Sequence, residues 1–223
     1  MVAAQQVTAP EVQESVIRRA IRLLLSESEA AYRCERDFHH HFSACLNSVS
    51  PLRLGTRKAL VSFEHPSCAA YGSGRSGNLD LYFREEHGCT FSGTARAGIA
   101  IELNFNYADR SKICRDLIKL VDPGSRHAQA VYFTYGTKPT LFREVCEGFK
   151  LSVGYFSERD PEFALPVGLS VYVADFRRQA SSHRLRLACT PPGVAQPQLD
   201  WVDVFGDFEI EPGGSNCVRC TPQ

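Results

Sequence analysis

The chain has 223 residues, 43% hydrophobic and 22% charged, which suits one substantial core, or a core domain with an appendage. Lysine plus arginine equals aspartate plus glutamate at 25 each, so the zero net charge exerts no global pull toward nucleic acid; only a local basic patch could do so. The longest leucine run, Leu23-Leu24-Leu25, is far too short to span a bilayer, and no basic segment followed by a long apolar one marks a signal peptide. Nine scattered cysteines, several inside apolar elements, suit reduced thiols in a cytoplasmic protein better than a disulfide framework.

Residues 1–10 read as a loose arm before a core of 11–176. From 11 to 47 the pattern is helical with a break near 26–28: Val16, Ala20 and Leu24 make one apolar stripe, and Phe38, Phe42 and Cys45 a second. Residues 59–64 read as a short strand, and 65–76, rich in Pro, Ser and Gly, as an exposed loop. GNLDLYF (77–83) and IAIELNF (99–105) both alternate as strands, joined by a polar, glycine-containing connection. Asp109 is a plausible N-cap for a helix whose buried stripe is Ile113, Leu117 and Leu120, ended by Pro123-Gly124. A strongly apolar strand at 128–135, a helix at 139–152 and a strand at 168–176 follow. Residues 177–223 read as a C-terminal β extension packed on the core, with 211–223 as its tail. The strand–helix–strand unit over 99–135 implies a parallel pair, and the strands before it an antiparallel meander. The expected fold is therefore α/β, a mixed sheet flanked by helices.

Alternation places Leu79, Leu81 and Phe83 on one strand face and Asp80 on the other. In the next strand it places Ile99, Ile101, Leu103 and Phe105 opposite Glu102 and Asn104. If the strands pair, two acids and an amide meet on one patch. Carboxylates that close repel each other unless a cation lies between them, so a divalent metal is the natural occupant. A solvent-facing polar side is the duller account of the same alternation.

These runs, with RSKICRDLIKL (110–120) and AVYF (130–133), resemble the PD-(D/E)xK nuclease superfamily, the restriction-endonuclease-like fold with an αβββαβ core. The likeness covers roughly residues 30–135. It implies Asp80 and Glu102 as catalytic metal ligands for Mg2+ or Mn2+, joined by the Leu103 carbonyl and by Glu35 from the preceding helix. Glu64 is a further neighbour to consider. Asn104 stands where the superfamily has its catalytic lysine; it can position water but supplies no cation. Lys112 and Lys119, seven apart on the following helix with Asp116 between them, are the two side chains able to restore one. The implied activity is hydrolysis of DNA phosphodiester bonds, with RNA left open; the alternative is an inactive relative that binds nucleic acid or protein. Oligomeric state stays open, although duplex cutters commonly work as homodimers.

Lys112, Arg177 and Arg178 are candidate phosphate contacts, while a solvated charged face is the ordinary reading of Arg177-Arg178 and of the basic run at 183–186. Successive histidines at 39–41 point in different directions on a helix and cannot share one ion. Cys217 and Cys220 form a CxxC pair that lacks the second pair a structural zinc site needs.

Overall fold

The structure, a computed structural model, describes residues 9–27, 32–49, 59–71, 75–85, 98–106, 109–124, 127, 129–177 and 182–204. Two helices lead, α1 (Ala9–Glu27) and α2 (Glu35–Val49). Then come β1 (Ala59–Tyr71), β2 (Arg75–Glu85), β3 (Ile99–Phe105), α3 (Arg110–Val121), β4 (Gln129–Gly136) and α4 (Leu141–Ser157). The last of the described elements are β5 (Gly168–Arg177), β6 (Ser182–Thr190) and β7 (Trp201–Val204). The fold is α/β. Among the described residues one open mixed sheet of seven strands runs in chain order, with β3, β4 and β5 parallel and every other pair antiparallel. Among the described residues no helix is long and apolar enough to cross a membrane.

Strand order explains the layers. The connections β3–α3–β4 and β4–α4–β5 step the same way across the sheet, so two right-handed crossovers place both helices on one face. There Ile113, Leu117 and Leu120 of α3 and Val145 and Phe149 of α4 pack on Ala100, Tyr132, Val171 and Val173. The opposite face carries α1 and α2, whose Ile17, Leu24, Phe38 and Phe42 meet Ile101, Leu103, Phe133 and Tyr172. Strands buried on both faces need apolar residues in both registers. β3 meets this everywhere except at Glu102 and Asn104, which are nevertheless 1% and 0% exposed.

Two expectations are corrected. Residues 65–76 do not form a loop: β1 continues to Tyr71 and β2 begins at Arg75, with a register shift between Pro66 and Ala70. Pro66 is tolerated because β1 is the edge strand of the sheet among the described residues, paired there on one side alone. Leu79 does not share a face with Leu81: Leu79 packs under α3, Leu81 under α1 and α2. The ladder between β2 and β3 holds only three pairs, Leu81 to Phe83 with Ile99 to Ile101, so β2 changes its facing where that ladder ends. Within the stretch read as a C-terminal β extension, β6 and β7 join the sheet edge to edge beside β5. The arm at 1–8, the tail at 211–223 with Cys217 and Cys220, and Arg178 lie outside the described residues.

Helices α3 and α4 approach closely at Gly148. A Cβ there would stand 2.6 Å from Ile113 Cγ2 and 3.1 Å from the Arg110 carbonyl oxygen, whereas one at Gly154 of the same helix would meet nothing within 4 Å. Overpacking of a filled interface costs about 1–3 kcal/mol, against about 1 kcal/mol of helix propensity gained by replacing glycine. Gly148→Ala is therefore expected to destabilise the protein in urea titrations while Gly154→Ala stabilises it. Equal effects from the two substitutions would contradict the packing described.

Candidate metal and phosphate site

The site forms where the β2–β3 ladder stops. By register Asp80 falls opposite Glu102, one step beyond the last ladder pair, Leu81 with Ile101. With no backbone partner in register there, the Leu103 N–H donates to Asp80 Oδ2 at 2.8 Å. The N–H and C=O of one strand residue point the same way, so the Leu103 carbonyl also faces β2. Glu102 projects to the α3 face beside Tyr132, its partner on β4, and Asn104 beside Thr134.

Helix α3 supplies the cation. Asp109 caps its N-terminus by accepting the Lys112 N–H at 2.8 Å, which fixes where the helix starts. Ten residues on, the Lys119 ammonium donates to both Glu102 oxygens at 2.9 Å each, and lies 3.0 Å from Asp116 Oδ1. It also donates to the Asn78 carbonyl on β2 at 3.3 Å, so one side chain ties α3 to both strands. At the helix start, Lys112 donates to Glu35 Oε1 at 2.6 Å. Glu35 is thus held at the rim rather than in the core, its side chain 36% exposed. Its helix is anchored one turn later by Phe38, stacked with Phe105 and Tyr135 at ring separations of 5.7 and 5.9 Å.

Electrostatics follow from burial. Loss of water, then the charges of Asp80 and Asp116, push the Glu102 carboxyl well above its usual range, against the pull of Lys119. Burial likewise raises Asp116. Burial alone would lower Lys119, but the Glu102 and Asp116 carboxylates outweigh it and hold the ammonium above its ordinary value. Burial raises the Tyr132 phenol far above its usual range, and Asp116, Glu102, Glu35 and Asp80 all add to the effect. The charges of the same four carboxylates thus reach one buried phenol. When all four are ionised, the two lysines leave two negative charges unbalanced.

Several buried atoms on the α3 face meet no hydrogen-bond partner among the described residues, Asp116 Oδ2, Tyr132 Oη, Thr134 Oγ1 and both side-chain ends of Asn104, and nor does His39 Nε2 from α2 on the other face. Polar atoms are rarely buried unsatisfied, so their concentration here suits a site that receives a cation and its waters. His39 Nε2 lies 3.9 Å from Asp80 Oδ2. The donor set is oxygen-rich, as Mg2+ or Mn2+ prefers.

The structure thus brings together Asp80, Glu102, Leu103 and Lys119, with Glu35 and Lys112 at the rim. Asn104 is sealed beneath, and the cation next to Glu102 comes from α3. Arg177 lies at the β5–β6 end opposite Ser182, and only its backbone is described, as for Glu64 in β1. Asp116, Tyr132 and His39 were not anticipated as site members. The Asp116–Lys119 spacing of three was the readable sign for the first; nothing in the chain signals Tyr132, an aromatic inside an apolar strand. No family model matches the chain, and no curated protein or solved structure matches it either.

Removing the cation should expose the burial cost of the acids. Breaking a buried ion pair from one side costs about 3–5 kcal/mol, so Lys119→Met should lower unfolding free energy by about that much near neutral pH. The sign with pH is set by the raised carboxyls. Folded Glu102 and Asp116 keep protons that the unfolded chain releases, so their contribution is greatest below the unfolded carboxylate range and falls as pH rises through the raised values. Losing Lys119 raises them further, so the penalty of Lys119→Met should shrink on acidification. Denaturant titrations at several pH values measure this; a penalty independent of pH would contradict it.

Proposed function

We propose that this chain is a divalent-metal-dependent phosphodiesterase acting on DNA, a nuclease of the PD-(D/E)xK type whose lysine has moved from the strand to the following helix. The observation that carries this reading is the bidentate contact of Lys119 with Glu102. The strand position of the superfamily's lysine holds Asn104, yet an ammonium still stands beside the second acid. Element order adds support: α2, β1, β2, β3, α3 and β4 follow the superfamily's αβββαβ sequence.

Asp80, Glu102 and the Leu103 carbonyl would hold Mg2+ or Mn2+, with Glu35 at the outer edge. When bound, such an ion would supply charge stabilisation to the scissile phosphate and would lower the pKa of a water. Lys119, kept protonated by Glu102 and Asp116, offers its ammonium to the developing negative charge. Asp116 positions that ammonium through its 3.0 Å contact. Lys112, steadied by Glu35, and Arg177 and Arg178 are the candidate contacts to neighbouring phosphates. Hydrolysis joins the oxygen of water to phosphorus and releases one ester oxygen with a proton.

A second reading, an inactive nucleic-acid or protein-binding relative, is favoured by one observation. Both Glu102 oxygens are already taken by Lys119, and a metal would have to share or displace it. Thermal melting and plasmid cleavage separate the two. A ligand present at a hundred times its Kd adds about 2.7 kcal/mol of stability, so Mn2+ should raise the melting temperature, and Asp80→Asn should remove the rise. Supercoiled plasmid should be nicked with Mn2+, not by Glu102→Gln. Lys119→Met should keep the melting shift and lose cleavage by about a hundred- to a thousand-fold. No melting shift and no cleavage in the native chain would overturn the nuclease reading and leave the binding module; cleavage of RNA alone would replace the substrate.

A further inference from the structure

We propose that Glu27, His41 and Cys45 form a second metal site, of the kind that takes Zn2+, which fastens the end of α1 to α2. One donor atom from each of the three lies within 4.8 Å of the other two. His41 Nε2 is 2.8 Å from Glu27 Oε2, and Cys45 Sγ is 3.8 Å from the same oxygen. Zinc bonds of about 2.0–2.3 Å in a tetrahedron set donors roughly 3.3–3.8 Å apart, so small adjustments of the three side chains, the half-exposed Glu27 foremost, would bring donors now within 4.8 Å of one another onto one ion.

The arrangement is built from helix geometry. His41 and Cys45 are four apart on α2 and share a face, the spacing by which one helix presents two ligands to one ion. The third ligand is the last residue of α1. The other nitrogen of His41 is also engaged: Tyr32 Oη lies 2.6 Å from Nδ1. With Nε2 on a metal, Nδ1–H donates to the Tyr32 oxygen, the outer contact that orients a ligating histidine. Tyr32 is itself fixed edge-on against Phe38 and Phe105, at ring separations of 5.4 and 5.2 Å.

The ligand set selects the metal. A thiolate with an imidazole and one carboxylate suits Zn2+, whereas Mg2+ and Ca2+ want oxygen throughout. Three protein donors leave a fourth position, and the exposed side of Glu27 opens it to water. A Cys–His–Glu nucleophilic set fits less well. Burial, reinforced by the Glu27 charge, pushes the bare Cys45 thiol up to about 12, the reverse of an activated cysteine. The helix so fastened is the one that carries Glu35, but this site contains sulfur and the carboxylate site does not, so the two stand or fall separately.

Co2+ is the direct probe, since a sulfur ligand gives it a charge-transfer absorption that an all-oxygen site lacks. Full-length protein with its thiols reduced should bind Co2+ with that absorption, and Zn2+ should displace it. The absorption should survive Cys34→Ser and the double substitution Cys217→Ser/Cys220→Ser, and vanish in Cys45→Ser. Tyr32→Phe should weaken Co2+ binding about tenfold and keep the absorption. Glu27→Gln, on a side chain clear of the core, should weaken it at least about tenfold as well, and this readout stands even if Cys45→Ser fails to fold. Native protein without the absorption, an absorption that outlives Cys45→Ser, or unchanged affinity in Glu27→Gln would overturn the site.

Discussion

A single ammonium makes this fold compatible with its own sequence. Glu102 stands in the middle of a sheet covered on both faces, where a bare carboxylate costs several kcal/mol. Lys119 meets both of its oxygens and one of Asp116. The crossover helix can do this because it must lie over the strands it connects, which brings its last turn above Glu102. Packing and charge neutralisation are thus accomplished by the same element, with Leu117 and Leu120 buried around the lysine.

The rest of the site follows from one interrupted ladder. Beyond Leu81 and Ile101 the two strands exchange no further register pairs, and a side-chain carboxylate takes over as the partner of a backbone N–H. The interruption turns β2, moves Leu79 to the other core and leaves Asp80 where its charge is felt by Glu102. The aromatic stack of Phe38, Phe105 and Tyr135 seats the start of α2 at the same end of the sheet, which brings Glu35 within reach of Lys112. Three separate constraints therefore converge on one anionic patch. That patch has an excess of carboxylates over ammoniums, and the proposed metal-dependent chemistry grows from that excess.

Much of this was readable in the chain, for definite reasons. The period-two pattern of 99–105 separates Glu102 and Asn104 from four apolar residues, and the structure keeps that separation. The N-cap at Asp109 and the stripe of Ile113, Leu117 and Leu120 are local features, which sequence reports well. Lys119 was visible as a cation of the right helix, but its choice over Lys112 depends on the crossing of helix and strand, a tertiary matter. Leu79 was misread because alternation assumes an unbroken pleat. The run 65–71 was misread because Pro and Ser signal loops, yet an edge strand accepts them. The three adjacent histidines hide the grouping at His41, because its neighbours there are Cys45, four residues on, and Glu27 of the preceding helix, whose approach is a tertiary matter.

The most direct test is a crystal of the protein soaked in Mn2+ and measured at the manganese absorption edge. The account predicts an anomalous peak bounded by Asp80, Glu102 and the Leu103 carbonyl, with Lys119 turned from at least one Glu102 oxygen to admit it. Density in which Lys119 still spans both oxygens, and no anomalous peak stands beside them, would contradict it.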